Sequence, residues 1–131
     1  MAEQTVHKGY GGKAEIVVAS SSARTTTFTS DDYTVPYGKT LTVIITITTG
    51  SATPSVTPSI RGVTPTGTVY TVLTGAAITS TSAATVVLRV GDGVAEVTNL
   101  GTGIPLPATW RIVMTAGDSD SLTYSIEAEV R

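Results

Sequence analysis

The sequence predicts an all-β fold: a single antiparallel β-sandwich, of jelly-roll or immunoglobulin-like topology, preceded by a flexible N-terminal arm. Three observations predict it. Threonine and valine are prominent in a chain that is 40% hydrophobic and only 14% charged, and such β-branched side chains are stiff at χ1 and fit a pleated surface. Apolar and polar residues alternate with period two in segment after segment, while no window carries an apolar stripe at helical spacing. Between these segments Gly, Pro, Asp and Ser cluster at turn-like intervals. At 131 residues, one core is the expected number.

Residues 1–13 hold Gly9, Gly11 and Gly12 and no apolar period, which reads as an arm, so the domain proper is assigned to 14–131. Ala14, Ile16 and Val18 share one face of the first strand, Glu15 and Val17 share the other, and the serines at 20–22 read as a bend. A short strand is expected near Thr25 to Phe28 and another at Tyr33-Thr34-Val35, with Ser30-Asp31-Asp32 and Pro36-Tyr37-Gly38-Lys39 as turns. Residues 40–49 place Leu41, Val43, Ile45 and Ile47 on one face and Thr42, Thr46 and Thr48 on the other, which marks a core strand. Val56 to Val63 is interrupted by Pro58, which cannot donate to a ladder; this strand is expected at a sheet edge or with a bulge there. Thr64-Pro65-Thr66-Gly67 reads as a hairpin turn into a strand over 68–74.

Residues 84–90 alternate again, with Val86, Leu88 and Val90 opposed to Val87 and Arg89, before the Gly91-Asp92-Gly93 turn. Residues 94–107 read as irregular. Trp110, Ile112 and Met114 share a face of the next strand, and Trp110 is assigned to the core on that phase. After Gly117-Asp118-Ser119-Asp120, the residues Leu122, Tyr124, Ile126, Ala128 and Val130 alternate with Thr123, Ser125, Glu127 and Glu129. That is the pattern of a strand with one wet face. Seven to nine strands at this spacing suggest two packed antiparallel sheets.

Composition excludes several functions. A net charge of −2 with scattered basic residues gives no reason to bind nucleic acid. No cysteine is present, so neither disulfides nor thiolate metal sites are available. Residues 1–5 lack the basic and then apolar regions of a secretory signal, and no apolar run could span a bilayer. Cytoplasmic synthesis without a membrane partner is the expectation. A charge-poor surface with mean hydropathy of +0.24 points to a face covered by a partner.

Catalysis fails on inventory. His7 is the single histidine and lies in the arm, so no serine has a positioned base, and neither an enzyme activity nor a cofactor is expected. Asp31, Asp32, Asp92, Asp118 and Asp120 fall in predicted turns, where aspartate caps its own backbone. The Asp118-x-Asp120 spacing matches the opening of a calcium loop, but the later glycine and glutamate of such a loop are missing. Tyr10, Tyr33 and Tyr37, lying nearer loops, are candidate partner-binding residues, together with His7, Lys8 and Lys13 of the arm.

Pro107-Ala108-Thr109-Trp110-Arg111, the Gly117-Asp118-Ser119-Asp120 turn and Ser121-Leu122-Thr123-Tyr124-Ser125 follow one another in an order that resembles a group of small tailed-bacteriophage virion proteins. Pro54-Ser55-Val56, Ile60-x-Gly62 and the Tyr70 strand join the likeness, which covers roughly residues 16–131. The resemblance implies a capsid-associated structural protein of the decoration or cement type, bound to the major capsid protein on the virion surface and forming a dimer or trimer. A tail or head-fibre component is the alternative it leaves open. The loop tyrosines and Asp118/Asp120 motivate a further one, a carbohydrate-binding, adhesin-like sandwich.

Overall fold

The computed structural model describes the backbone of His7–Lys8 and residues 14–35 and 38–131. Among these residues there is no helix; eleven strands form two sheets. The strands are β1 (His7–Lys8), β2 (Ala14–Arg24), β3 (Phe28–Thr29), β4 (Tyr33–Thr34), β5 (Thr40–Gly50), β6 (Val56–Val63), β7 (Val69–Thr74), β8 (Ala84–Gly91), β9 (Gly101–Thr102), β10 (Thr109–Ala116) and β11 (Leu122–Val130). Sheet A runs β1-β2-β11-β5-β8-β9. Sheet B runs β3-β10-β6-β7, with β4 on the same edge of β10 as β3.

The pairing resolves the topology. β2 pairs β11, the broken strand β3/β4 pairs β10, β5 pairs β8 and β6 pairs β7, all antiparallel. These are four nested pairs of one long hairpin, rolled so that β11 also meets β5 and β10 also meets β6. That double Greek key is a jelly roll. An immunoglobulin-like order does not produce this nesting.

Period-two alternation puts the apolar faces together. Leu41, Val43, Ile45 and Ile47 of β5, Leu88 and Val90 of β8 and Leu122, Tyr124, Ile126 and Val130 of β11 are buried against Ile60, Trp110, Ile112 and Met114 of sheet B. Each such aliphatic side chain contributes about 1.5–3 kcal/mol relative to an exposed one. The expectations for β5, β11 and Trp110 hold.

Pro58 stands differently from expectation. β6 is central in sheet B, between β10 and β7. The proline survives there because its carbonyl accepts from Gly75 N at 2.8 Å, just past the end of β7. Its missing N–H faces that same side, where the ladder with β7 has ended. The register irregularity of this ladder lies between Ile60 and Arg61 rather than at Pro58.

Ser20 to Ser22 do not end β2; the strand continues to Arg24 while its register with β11 slips on either side of Ile126. Arg24 compensates for this bulge. Its guanidinium donates to the carbonyls of Ser20, Ser22 and Tyr124 at 3.0, 3.1 and 2.7 Å. It also lies over the rings of Tyr124 and Phe28, at 4.4 and 5.0 Å, and so bridges the two sheets.

Ser30 fills the break between β3 and β4. Its N–H donates to Ile112 O at 2.9 Å, while its buried Oγ accepts from Ile112 N at 2.9 Å. A hydroxyl thereby replaces a main-chain carbonyl in the ladder. β9 was not legible as a strand; it adds parallel to β8 at Arg89 and Val90. The turn at 64–67 forms as expected, with Gly67 at φ 91° and its N–H on Thr64 O at 2.9 Å.

Candidate interaction surface

Several polar side chains among the described residues hold turns and loops in place. Asp32 takes a two-pronged ion pair from Arg111, with Nε at 2.7 Å and Nη2 at 3.0 Å. Asp120 Oδ2 accepts from Thr53 N and Oγ1 at 3.1 and 3.2 Å, while Asp118 Oδ1 caps Asp120 N at 3.0 Å. Glu96 Oε1 accepts from Thr102 Oγ1 and Gly103 N at 3.0 and 2.8 Å, closing the excursion between β8 and β10. Among the described residues no three His, Cys, Asp or Glu side chains gather as a metal site would require.

Of the candidate partner residues, the structure describes the side chain of Tyr33 alone. Tyr33 is in the core, 2% exposed, with its ring 4.9 Å from that of Trp110. It pairs across to Trp110 on β10, which turns its side chain inward, so its ring is not presented to a partner. Burial, reinforced by Asp31, pushes its phenol up to about 12. The Tyr124 phenol is likewise pushed to about 12 by burial, offset in part by Arg24, although its hydroxyl makes no hydrogen bond of acceptable geometry. His7 and Lys8 pair with Glu15 and Ala14, laying that part of the arm along the edge of sheet A. Tyr10, Lys13 and Tyr37 lie outside the described residues.

The surface that stands out is the outer face of sheet A. The ladder registers set two lateral rows across β2, β11, β5 and β8: Glu15–Glu129–Thr42–Arg89 and Val17–Glu127–Ile44–Val87. His7 occupies the register position beyond Glu15. Glu15 and Glu129 are direct cross-strand neighbours of like charge, an unfavourable pair in an isolated sheet. Arg131 Nη2 approaches Glu129 at 3.7 Å, both largely solvated.

Beside these rows the excursion after β8 raises a wall. Val94, Ala95, Val97 and Leu100 flank an open groove of about 290 Å³ whose remaining lining is Val87, Arg89 and Gly101. Val17, Val87, Val97 and Leu100 are 57, 36, 47 and 49% exposed. A signal for two of them was present in the sequence, since Val17 and Val87 fall on the wet phase of their strands. Val97 and Leu100 lie in a stretch without periodicity and gave no signal.

No protein-family model matches the chain. No curated protein sequence matches it either. The fold is similar to that of a chain in the structure of infectious bursal disease virus, Gx strain, with a TM-score of 0.54 and 16% identity. The match covers 90% of this chain and 31% of that one, so the present chain spans about a third of the length of its structural neighbour. At that identity the likeness is one of fold.

Proposed function

We propose that this chain is a virion structural protein, and more narrowly a capsid decoration or cement protein that binds the outer surface of a major capsid protein lattice and stabilises the head. The observation that carries the reading is the jelly-roll likeness, over 90% of the chain, to a protein in a virus structure. It is joined by the resemblance of residues 16–131 to small tailed-bacteriophage virion proteins. Jelly rolls also serve lectins and enzymes. Four carboxylates support the structural reading, since Asp32, Asp118, Asp120 and Glu96 are engaged by an arginine, turns and loops.

In this role the chain works by its surface. Weak contacts repeated over a lattice gain strength through effective concentration, and an oligomer gains more. The test uses empty heads assembled from the major capsid protein of the same genome. Purified chain is expected to co-sediment with them at a saturable stoichiometry and to raise their disruption temperature. Failure to bind, with an unchanged disruption temperature, overturns the proposal.

A further inference from the structure

Four of the seven large hydrophobic side chains exposed among the described residues, Val17, Val87, Val97 and Leu100, belong to one face. That face is also polarised. Glu15, Glu127 and Glu129 stand on β2 and β11, whereas Arg89 stands on β8, at the other end of the row. The knob and the groove are likewise at opposite ends: Val17 on β2, the Val87/Val97/Leu100 groove beyond β8.

We propose that two copies of the chain pack through the outer faces of their A sheets about a two-fold axis parallel to the strands, between β11 and β5. Such an axis exchanges β2 with β8 and β11 with β5, so each row meets its own reverse. Val17 enters the Val87/Val97/Leu100 groove of the second copy, and Glu15 meets Arg89. Glu129 meets the Thr42 hydroxyl. Each contact occurs twice, as an isologous interface requires. Glu127 opposite Ile44 is the one mismatch, and it limits the affinity.

The pairing also removes two local faults. Glu15, whose neighbour Glu129 already has Arg131 at 3.7 Å, gains a cation of its own, and exposed valines on a wet face are covered. The dimer deepens the decoration reading by naming a partner for one face, but it does not depend on capsid binding.

The test exploits a chain without cysteine. Wild-type chain is expected to dimerise with concentration in sedimentation equilibrium. Glu15→Arg and Arg89→Glu should each weaken the dimer by roughly tenfold or more, and the double charge swap should restore it. Thermal melts of the three variants establish that each is folded. Neighbouring strands lie about 4.8 Å apart, so Val17 and Val87 of one sheet are roughly 14 Å from each other. Packed sheets lie about 10 Å apart, so the two-fold axis leaves the two copies of Val17 roughly 17 Å apart and sets Val17 about 10 Å from Val87 of the second copy. A bis-maleimide of about 8 Å reach, which bridges facing side chains across sheets about 10 Å apart but not the wider Val17–Val17 separation, should therefore link Val17→Cys to Val87→Cys in a mixture of the two variants and link neither variant alone. A monomer at millimolar concentration, a trimer or larger ring, swapped charges that fail to restore association, or cross-linking of Val17→Cys to itself overturns the interface. Heads bound by a monomeric chain would refute this inference and leave the decoration reading standing.

Discussion

Replacing Ser30 with alanine removes one oxygen from the structure and leaves a main-chain donor without a partner. Ile112 N reaches Ser30 Oγ at 2.9 Å, and both residues are buried, at 0 and 2% exposure. Alanine fits the same space, and the Ser30 N–H to Ile112 O bond persists, so the change takes the acceptor from the buried Ile112 amide and, on the part-buried side, the hydroxyl that donates to Asp31 O at 2.8 Å. An unsatisfied buried donor costs about 1–3 kcal/mol. A chain of 131 residues unfolds with an entropy of about 0.28 kcal/mol/K, so a loss of about 2 kcal/mol lowers Tm by roughly 7 °C. Urea unfolding should show the same loss in midpoint with an unchanged slope, measured at low protein concentration to keep association out of the equilibrium. Thr34→Ala is the control: its hydroxyl bonds Thr109 Oγ1 at 3.0 Å on the exposed side of the adjoining strand, and water can replace it for less than about 0.5 kcal/mol. A Ser30→Ala variant as stable as the control, with Ile112 amide exchange unchanged, would refute the reasoning.

Two further outcomes are expected. The folded-state phenols of Tyr33 and Tyr124 titrate near 12, above the ordinary value of 10.0; stability is therefore full below about pH 10 and is lost as pH rises from there through 12. Phenolate absorbance of these residues should appear late and together with unfolding, and a reversible titration of both near pH 10 in the folded protein would contradict their burial. Gly91→Ala should destabilise by about 1–3 kcal/mol, because Gly91 has φ 139° and a Cβ there collides with Lys39 O and lies 2.8 Å from Thr40 Cα; a melt within a degree of wild type contradicts it.

Legibility of the fold followed the strength of its periodicity. Ten of the eleven residues of β5 were assigned from alternation alone, and the same reasoning placed Trp110 inside. Pro58 misled because a strand rule about lost donors ignores where the neighbouring ladder stops. The serines at 20–22 read as a bend; the structure carries the irregularity inside β2, because Arg24 reaches back to the carbonyls of Ser20 and Ser22, which the sequence does not show. Nested pairing is a property of contacts between distant strands, so the jelly roll and the immunoglobulin order could not be separated in advance. The candidate surface was half visible: Glu15, Val17, Val87 and Arg89 were placed on outer faces, but only the ladder registers bring them into two common rows. Tyr33 was misplaced because nearness to a turn says nothing about which way a ring points.

The rolled hairpin has a consequence in time. β11 lies between β2 and β5, and β10 lies between β3/β4 and β6, so the two strands latest in this domain's order occupy interior positions in both sheets. While the ribosome is still translating residues before 109, β2 and β5 each present an unpaired edge, and Leu41, Ile45 and Ile47 lack the β11 side chains that cover them. Neither sheet closes, and the four-strand outer face with its two rows does not exist, until β11 has emerged. The two rows of the outer face are thus a property of the completed sheet, carried by no hairpin of the nascent domain alone.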